Sequence, residues 1–114
     1  MKIAEIHELL SAQVCACPER TCEEVCAAAA CDMLSDVLAM GGAPDVLITG
    51  LLNPQVIRTA VLLDARCVVF VRGKVPSDSI LALAEESGVC VLCTQMPMYQ
   101  ACGVLFRQGL AAAQ

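Results

Sequence analysis

The chain has 114 residues, of which 58% are hydrophobic and only 3% aromatic, and its formal net charge is −5. This length suits one domain, the apolar runs are shorter than the ~20 residues of a membrane-spanning helix, and the acidic balance argues against a nucleic-acid partner. Charged residues interrupt the first apolar stretch, which does not fit a secretory signal. We therefore expect a single cytoplasmic domain over residues 1–114, with a core of small aliphatic side chains.

The first part of the chain has an irregular pattern. Residues 2–10 carry apolar side chains at helical spacing, and residues 13–17 form a short strand-like run. Residues 21–40 allow two interpretations. The alanines and a TCEE capping box favour one long helix, whereas a strand at 25–30 followed by a helix from Asp32 is also compatible with the pattern.

From residue 45 the pattern becomes regular and repeats a strand followed by a helix. Three apolar runs are each followed by helical spacing: strands at 45–49, 67–71 and 89–93, and helices within 53–64, 77–88 and 97–109. Strands that are apolar on both faces indicate a parallel sheet covered by helices on two sides. We therefore predict an α/β fold, a single three-layer domain with a mostly parallel central sheet of about four to five strands.

The first of these helices illustrates how spacing assigns a buried face. Asn53 is a favourable N-cap, and Pro54 suits the first helical position. The apolar positions that recur at helical spacing include Val61, which predicts that Val61 is buried and that Thr59 faces solvent.

Nine cysteines allow three interpretations. A secreted disulfide framework is disfavoured by the odd number. The C-x-x-C pair Cys90 and Cys93 lies in a strand-like run, which places the two side chains on opposite faces. We favour small buried hydrophobes in a reducing, anaerobic cytosol, with no cofactor. The third interpretation is a metal or iron–sulfur site in the N-terminal series, which lacks a C-x2-C pair: Cys15, Cys17, Cys22, Cys26 and Cys31.

Three stretches are more specific than generic strand and helix signals: GLLNPQVIRTA, VFVRGK and ACGVLF. They resemble the DRTGG domain family. Its members are similar to the N-terminal domain of HPr kinase/phosphorylase, and they occur beside CBS domains in regulated pyrophosphatases or as small free-standing proteins. The resemblance is densest from Asp45 to Leu110. It implies a strand and then a helix within residues 21–40, and we adopt that order.

The namesake motif of the family is degenerate in this sequence. By position it falls in CEEVCAA, where Cys22 and Glu23 stand in place of Asp-Arg, and Ala27 and Ala28 in place of the two glycines. A ligand role of that motif therefore cannot be carried over. What the resemblance implies is a regulatory or assembly module without established chemistry.

The carboxyl ends of the three regular strands gather polar residues at one edge, where open α/β sheets bind ligands. Two cations, two hydroxyl groups and several free amides there could bind a phosphate or carboxylate, or could serve only as caps, turns and solvated strand ends. RGK lacks the GxxxxGK[ST] pattern, which excludes a P-loop. The candidate anion site comprises Thr49, Gly50, Asn53, Arg72, Gly73, Lys74, Thr94 and Gln95.

No catalytic residue is predicted. His7, the only histidine, is expected to lie half exposed on a short amphipathic helix, and no nucleophile–base pair can be assembled. Asp32 and Asp36 are four residues apart and could share one helix face, where solvated carboxylates are favoured over a metal pair. Three residues near the last helix could wall a ligand pocket or contact a second subunit: Met96, Met98 and Tyr99.

The function we predict is a non-enzymatic regulatory or assembly domain that acts through an unidentified protein partner and senses a small anionic metabolite. The apolar excess in so small a chain also predicts a homodimer. The alternative is a cysteine-based redox or metal-binding accessory protein. An enzyme of unrecognised type is a third possibility, disfavoured because acid and base groups are missing.

Overall fold

Six strands form one sheet in the computed structural model, which describes residues 1–113. In chain order they are β1 (Gln13–Ala16), β2 (Ala27–Ala30), β3 (Val46–Thr49), β4 (Cys67–Phe70), β5 (Cys90–Cys93) and β6 (Ala111–Ala112). The spatial order is β1-β5-β4-β3-β2-β6, in which β1 is antiparallel to β5 and the other neighbours are parallel. The predicted α/β fold with a mostly parallel sheet is confirmed. The strand that was not predicted is β6, which has two residues.

Helices cover both faces of the sheet, as predicted. They are α1 (Ile3–Leu9), α2 (Leu34–Ala39), α3 (Pro54–Leu62), α4 (Asp78–Ser87) and α5 (Met98–Arg107), with a 3-10 helix at Pro18–Cys22. Helices α1 and α5 pack on one face, and α2, α3 and α4 pack on the other. The longest described helices have ten residues, and none of them is long and apolar enough to cross a membrane.

Successive residues of the central strands enter opposite cores. In β3, Val46 and Ile48 belong to the core beneath α1 and α5, whereas Leu47 belongs to the core beneath α2, α3 and α4. All four residues of β4 are 0% exposed. Because side chains alternate along a strand, a strand without a polar face must be covered on both sides. This requirement produces the three layers.

The ambiguous segment forms a strand and then a short helix. The four alanines of β2 pair in parallel with β3 on one side and with β6 on the other. Alanine is the best intrinsic helix former, but the two neighbouring strands satisfy the backbone hydrogen bonds of this segment within the sheet. Tertiary pairing thus overrides helix propensity, and the order adopted from the family resemblance is correct.

The two face assignments made for α3 are wrong. Thr59 is 3% exposed, whereas Val61 is 50% exposed. Helix α3 contacts α2 and α4 as well as the sheet, so its buried arc is wider than one stripe and includes Thr59. Val61 lies in the last turn, where the helix faces solvent. The predicted cap is confirmed, since Asn53 Oδ1 accepts a 2.9 Å hydrogen bond from the Gln55 N–H.

We expect Leu47→Ala to lower the free energy of unfolding by about 2–5 kcal/mol, because it leaves a cavity in a close-packed core. Leu62→Ala is the matched control. It makes the same chemical change at a side chain that is 75% exposed, and should change stability by less than about 0.5 kcal/mol. Urea unfolding followed by circular dichroism measures both. Equal losses in the two variants would contradict the assignment of the core.

Candidate functional site

The residues of the predicted anion site gather at the carboxyl edge of β3, β4 and β5, but they divide into separate environments. Asn53 caps α3 with its side-chain oxygen. Three residues surround the carboxylate of Asp32: Thr49, Gly50 and Arg72. The remaining four line a neighbouring pocket: Gly73, Lys74, Thr94 and Gln95.

Asp32 binds three of the predicted residues at once. Its Oδ1 accepts hydrogen bonds from the Gly50 N–H (2.8 Å) and the Thr49 hydroxyl (3.0 Å), and its Oδ2 accepts one from Arg72 Nη2 (3.2 Å). The Gly50 N–H, followed by the Thr49 hydroxyl and the Arg72 guanidinium, lowers the pKa of Asp32 below its ordinary value. The Asp32 carboxylate therefore takes the place beside Thr49, Gly50 and Arg72 that the sequence analysis assigned to an anionic ligand.

Arg72 is held closely against the end of β3. A Cβ atom at residue 50 would overlap the Arg72 guanidinium, so only a glycine at this position leaves room for the Arg72 side chain. Arg72 and Gly73 both have left-handed backbone, with φ of +62° and +69°. Their N–H groups donate to Met96 O (2.8 Å) and Thr94 O (3.0 Å). These amides, which the sequence suggested were free, are committed to the turn.

Asp32 was expected on a helix face with Asp36, and that expectation is wrong. Helix α2 begins at Leu34, so only Asp36 lies within it. Asp32 follows β2 by two residues, and its backbone belongs to the same edge as Thr49. Position after a strand was the signal that could have placed this carboxylate in the site.

A pocket of about 320 Å³ adjoins the Asp32 cluster on the β5 side. Lys74 is exposed at its rim, and its ammonium group has no ion-pair or hydrogen-bond partner among residues 1–113. Thr94 is buried, and its hydroxyl donates to Leu10 O (2.7 Å) and accepts from the Met96 N–H (3.2 Å). Lys74 is thus the cation of the predicted site that remains available to a ligand. The pocket is also lined by Ser11, Gln13, Cys15, Val75, Pro76, Leu81 and Cys93.

The N-terminal cysteines do not assemble into one cluster. In the described chain, the group of potential metal ligands that comes together is Cys17, Glu19 and Glu85, whose ligand atoms lie within 4.8 Å of one another. Glu85 already accepts hydrogen bonds from the Cys17 N–H (2.8 Å) and from its thiol (3.6 Å). Burial, together with the nearby charge of Glu85, raises the pKa of Cys17 to about 12. A protonated thiol that donates to Glu85 accounts for this arrangement.

The C-x-x-C pair behaves as the strand pattern predicts. Cys90 packs in the core beneath α1 and α5, whereas Cys93 packs against the core on the other face. Cys93 instead meets Cys15 of the neighbouring strand, with the two Sγ atoms 3.0 Å apart. Sequence reasoning did not find this contact, because it depends on β1 pairing with β5.

His7 is half-buried on α1, as expected, and its Nδ1 atom has no hydrogen-bond partner in the described chain. Tyr99 is 93% exposed and lines an apolar groove of about 350 Å³ between α5, β2 and β6, rather than the Lys74 pocket. Met96 and Met98 are half-buried against the core beneath α1 and α5. Of Met96, Met98 and Tyr99, only Tyr99 lies at a surface where a second subunit could bind.

No protein-family model matches this sequence, and no curated protein does. Among solved structures, the fold is similar to the CBS and DRTGG domains of the regulatory region of Clostridium perfringens pyrophosphatase, complexed with the activator diadenosine tetraphosphate. The match has a TM-score of 0.73 and 19% sequence identity, and it covers 96% of this chain and 47% of the other. This chain therefore spans about half of that regulatory region, and at this identity the likeness establishes a DRTGG-like fold alone.

The substitution Asp32→Asn tests the hydrogen bonds to the Asp32 carboxylate, because their contribution to the free energy of unfolding depends on pH. The folded-state pKa of Asp32 is lowered, so its stabilisation is present above the ordinary pKa of 3.8 and is lost as pH falls through the lower folded value. We expect the variant to be less stable than the native protein at neutral pH, and the difference to shrink below pH 3.8. Urea unfolding at several pH values measures this. Asp36→Asn, an exposed carboxylate on α2, is the control, and an equal loss in both variants would contradict the cluster.

Proposed function

We propose that this chain is a non-enzymatic regulatory domain that senses a small anionic ligand in the pocket beside Lys74. The observation that carries the proposal is the Lys74 ammonium group, which has no partner within residues 1–113 and lies at the rim of a concave site on the carboxyl edge of the sheet. Ligands of open α/β folds bind at this edge. The similarity to a regulatory region that was crystallised with a nucleotide activator supports the same class of function.

The pocket suggests the size and charge of the ligand. Its volume of about 320 Å³ lies at the lower end of the range for small-molecule sites, about 300–1,000 Å³. This favours a ligand no larger than a mononucleotide, which would present a phosphate or carboxylate group to Lys74. Ser11, Gln13 and Gln95 offer polar side chains along the wall.

Arg72 provides a way to transmit binding. A ligand anion that reached from Lys74 towards Arg72 would compete with Asp32 for the guanidinium. Asp32 lies in the short connection between β2 and α2, so loss of this contact would loosen the attachment of α2 to the sheet edge. Helix α2 exposes Leu38 and is flanked by exposed Met33 and Met40. We propose that an unidentified protein partner binds this surface of α2, formed by Met33, Leu38 and Met40.

Ligand binding is tested by calorimetry and thermal shift with inorganic phosphate, AMP and ATP as separate probes. We expect at least one probe to bind, and Lys74→Ala to weaken it about tenfold or more, because a charge-assisted hydrogen bond contributes about 1.5–3 kcal/mol. Arg107→Ala is the matched control. It also removes one positive charge, but at the end of α5, at the opposite edge of the sheet. Failure of all three probes, or equal weakening in both variants, would overturn the proposal.

We also propose that the domain acts as a homodimer in the cytoplasm, as its composition predicts. Tyr99 and Phe106 are 93% and 69% exposed and flank the apolar groove at the β2 and β6 edge. Burying such side chains against a second copy would remove a large apolar area from water. The predicted similarity to the N-terminal domain of HPr kinase stays a prediction.

Sedimentation velocity tests the dimer. We expect the native protein to sediment as a dimer and the double variant Tyr99→Glu with Phe106→Glu as a monomer, because two buried charges would face the interface. Leu62→Glu places the same charge at an exposed leucine of α3, away from the groove, and should remain a dimer. A monomeric native protein would disprove the homodimer.

A further inference from the structure

Two half-buried cysteines meet where β1 pairs with β5. The Sγ atoms of Cys15 and Cys93 lie 3.0 Å apart, although the residues are 78 positions apart in the chain. Cys93 ends β5, and Cys15 lies where the antiparallel register shifts between Val14 and Ala16. Such an irregularity can redirect a side chain. Here it leaves the Cys15 thiol against that of Cys93.

Access to solvent distinguishes this pair from the other cysteine pair of the sheet. Cys15 and Cys93 both line the Lys74 pocket of about 320 Å³. Cys67 and Cys90 are also direct neighbours, in β4 and β5, but each is 0% exposed. A small reagent in the pocket can therefore reach the first pair but is excluded from the second.

We propose that Cys15 and Cys93 are a modification site that forms a reversible intramolecular disulfide by exchange with a low-molecular-weight disulfide such as oxidised glutathione. A disulfide has an S–S distance of about 2.05 Å. The two sulfurs, now 3.0 Å apart, need to approach by only about 1 Å. The site is independent of the proposed anionic ligand, since the disulfide would form in a domain that binds no anion.

The reaction consists of two successive exchanges. The thiolate of one cysteine attacks a sulfur of oxidised glutathione, whose S–S bond breaks, and one glutathione leaves as a thiolate. The thiolate of the second cysteine then attacks the protein sulfur of the mixed disulfide and expels the second glutathione. Together the two cysteines lose two electrons and two protons. Oxidised glutathione takes up these electrons and protons and becomes two molecules of reduced glutathione.

Burial controls the rate of this exchange. It raises the pKa of the Cys93 thiol above its ordinary value, and the thiolate is the form that reacts. The reaction is therefore slow at neutral pH, and its rate rises about tenfold per pH unit while the pH stays below that pKa. Closing the disulfide ties edge strand β1 covalently to β5 and draws in one wall of the Lys74 pocket.

The unmodified protein is incubated in glutathione buffers of increasing oxidation, trapped with N-ethylmaleimide, digested and mapped by mass spectrometry. We expect a peptide linked through Cys15 and Cys93 that disappears after treatment with dithiothreitol. Its rate of formation should rise about tenfold from pH 7 to 8. Cys67 and Cys90 should stay reduced in the same sample, as an internal control.

Two variants test the second exchange. Cys15→Ser should leave Cys93 as a stable glutathione adduct, because no neighbouring thiol remains to expel the glutathione. Cys22→Ser, which removes an exposed thiol elsewhere, should leave the link intact. The proposal is overturned if the unmodified protein gives no linked peptide in the most oxidising buffer, or gives only separate adducts at Cys15 and Cys93. Because the unmodified protein carries this measurement, a variant that fails to fold does not affect the result.

Discussion

The withdrawal of β3 and β4 from water on both faces is the constraint from which the rest of the structure follows. Every residue of these strands is at most 2% exposed. Their backbone groups can be satisfied only by neighbouring strands, and their side chains only by helices above and below. Polar side chains are thereby confined to the strand ends, where the chain returns to solvent. That is why Thr49 and Arg72 lie at one edge.

Much of the fold could be predicted, because its signals are local. Apolar runs identified the central strands, and Asn53 marked the start of α3 correctly. The pattern could not predict which neighbours would cover α3, so Thr59 and Val61 were assigned to the wrong faces. The alanines of β2 carry no strand signal of their own, and only the family resemblance favoured the strand. The two alanines of β6 have no pattern at all.

The candidate site was predictable only in part, for the same reason. Parallel strands bring their carboxyl ends to one edge, which located Lys74 and Arg72 together. The ion pair between Asp32 and Arg72 depends on β2 lying beside β3. The contact between Cys15 and Cys93 depends on β1 lying beside β5. Strand order arises from long-range pairing, and a single sequence does not encode it in any local window.

The two edge strands also determine when the sheet can be completed during synthesis. From β2 to β5, each strand pairs with the next one in the chain. In contrast, Gln13 pairs with Cys93, and Ala27 pairs with Ala111. Loops of that length close late and slowly. A nascent chain on the ribosome therefore holds β1 without its partner until β5 has emerged, and the outer side of β2 stays open until β6 has emerged. In this interval the unpaired backbone is most exposed to pairing with another chain.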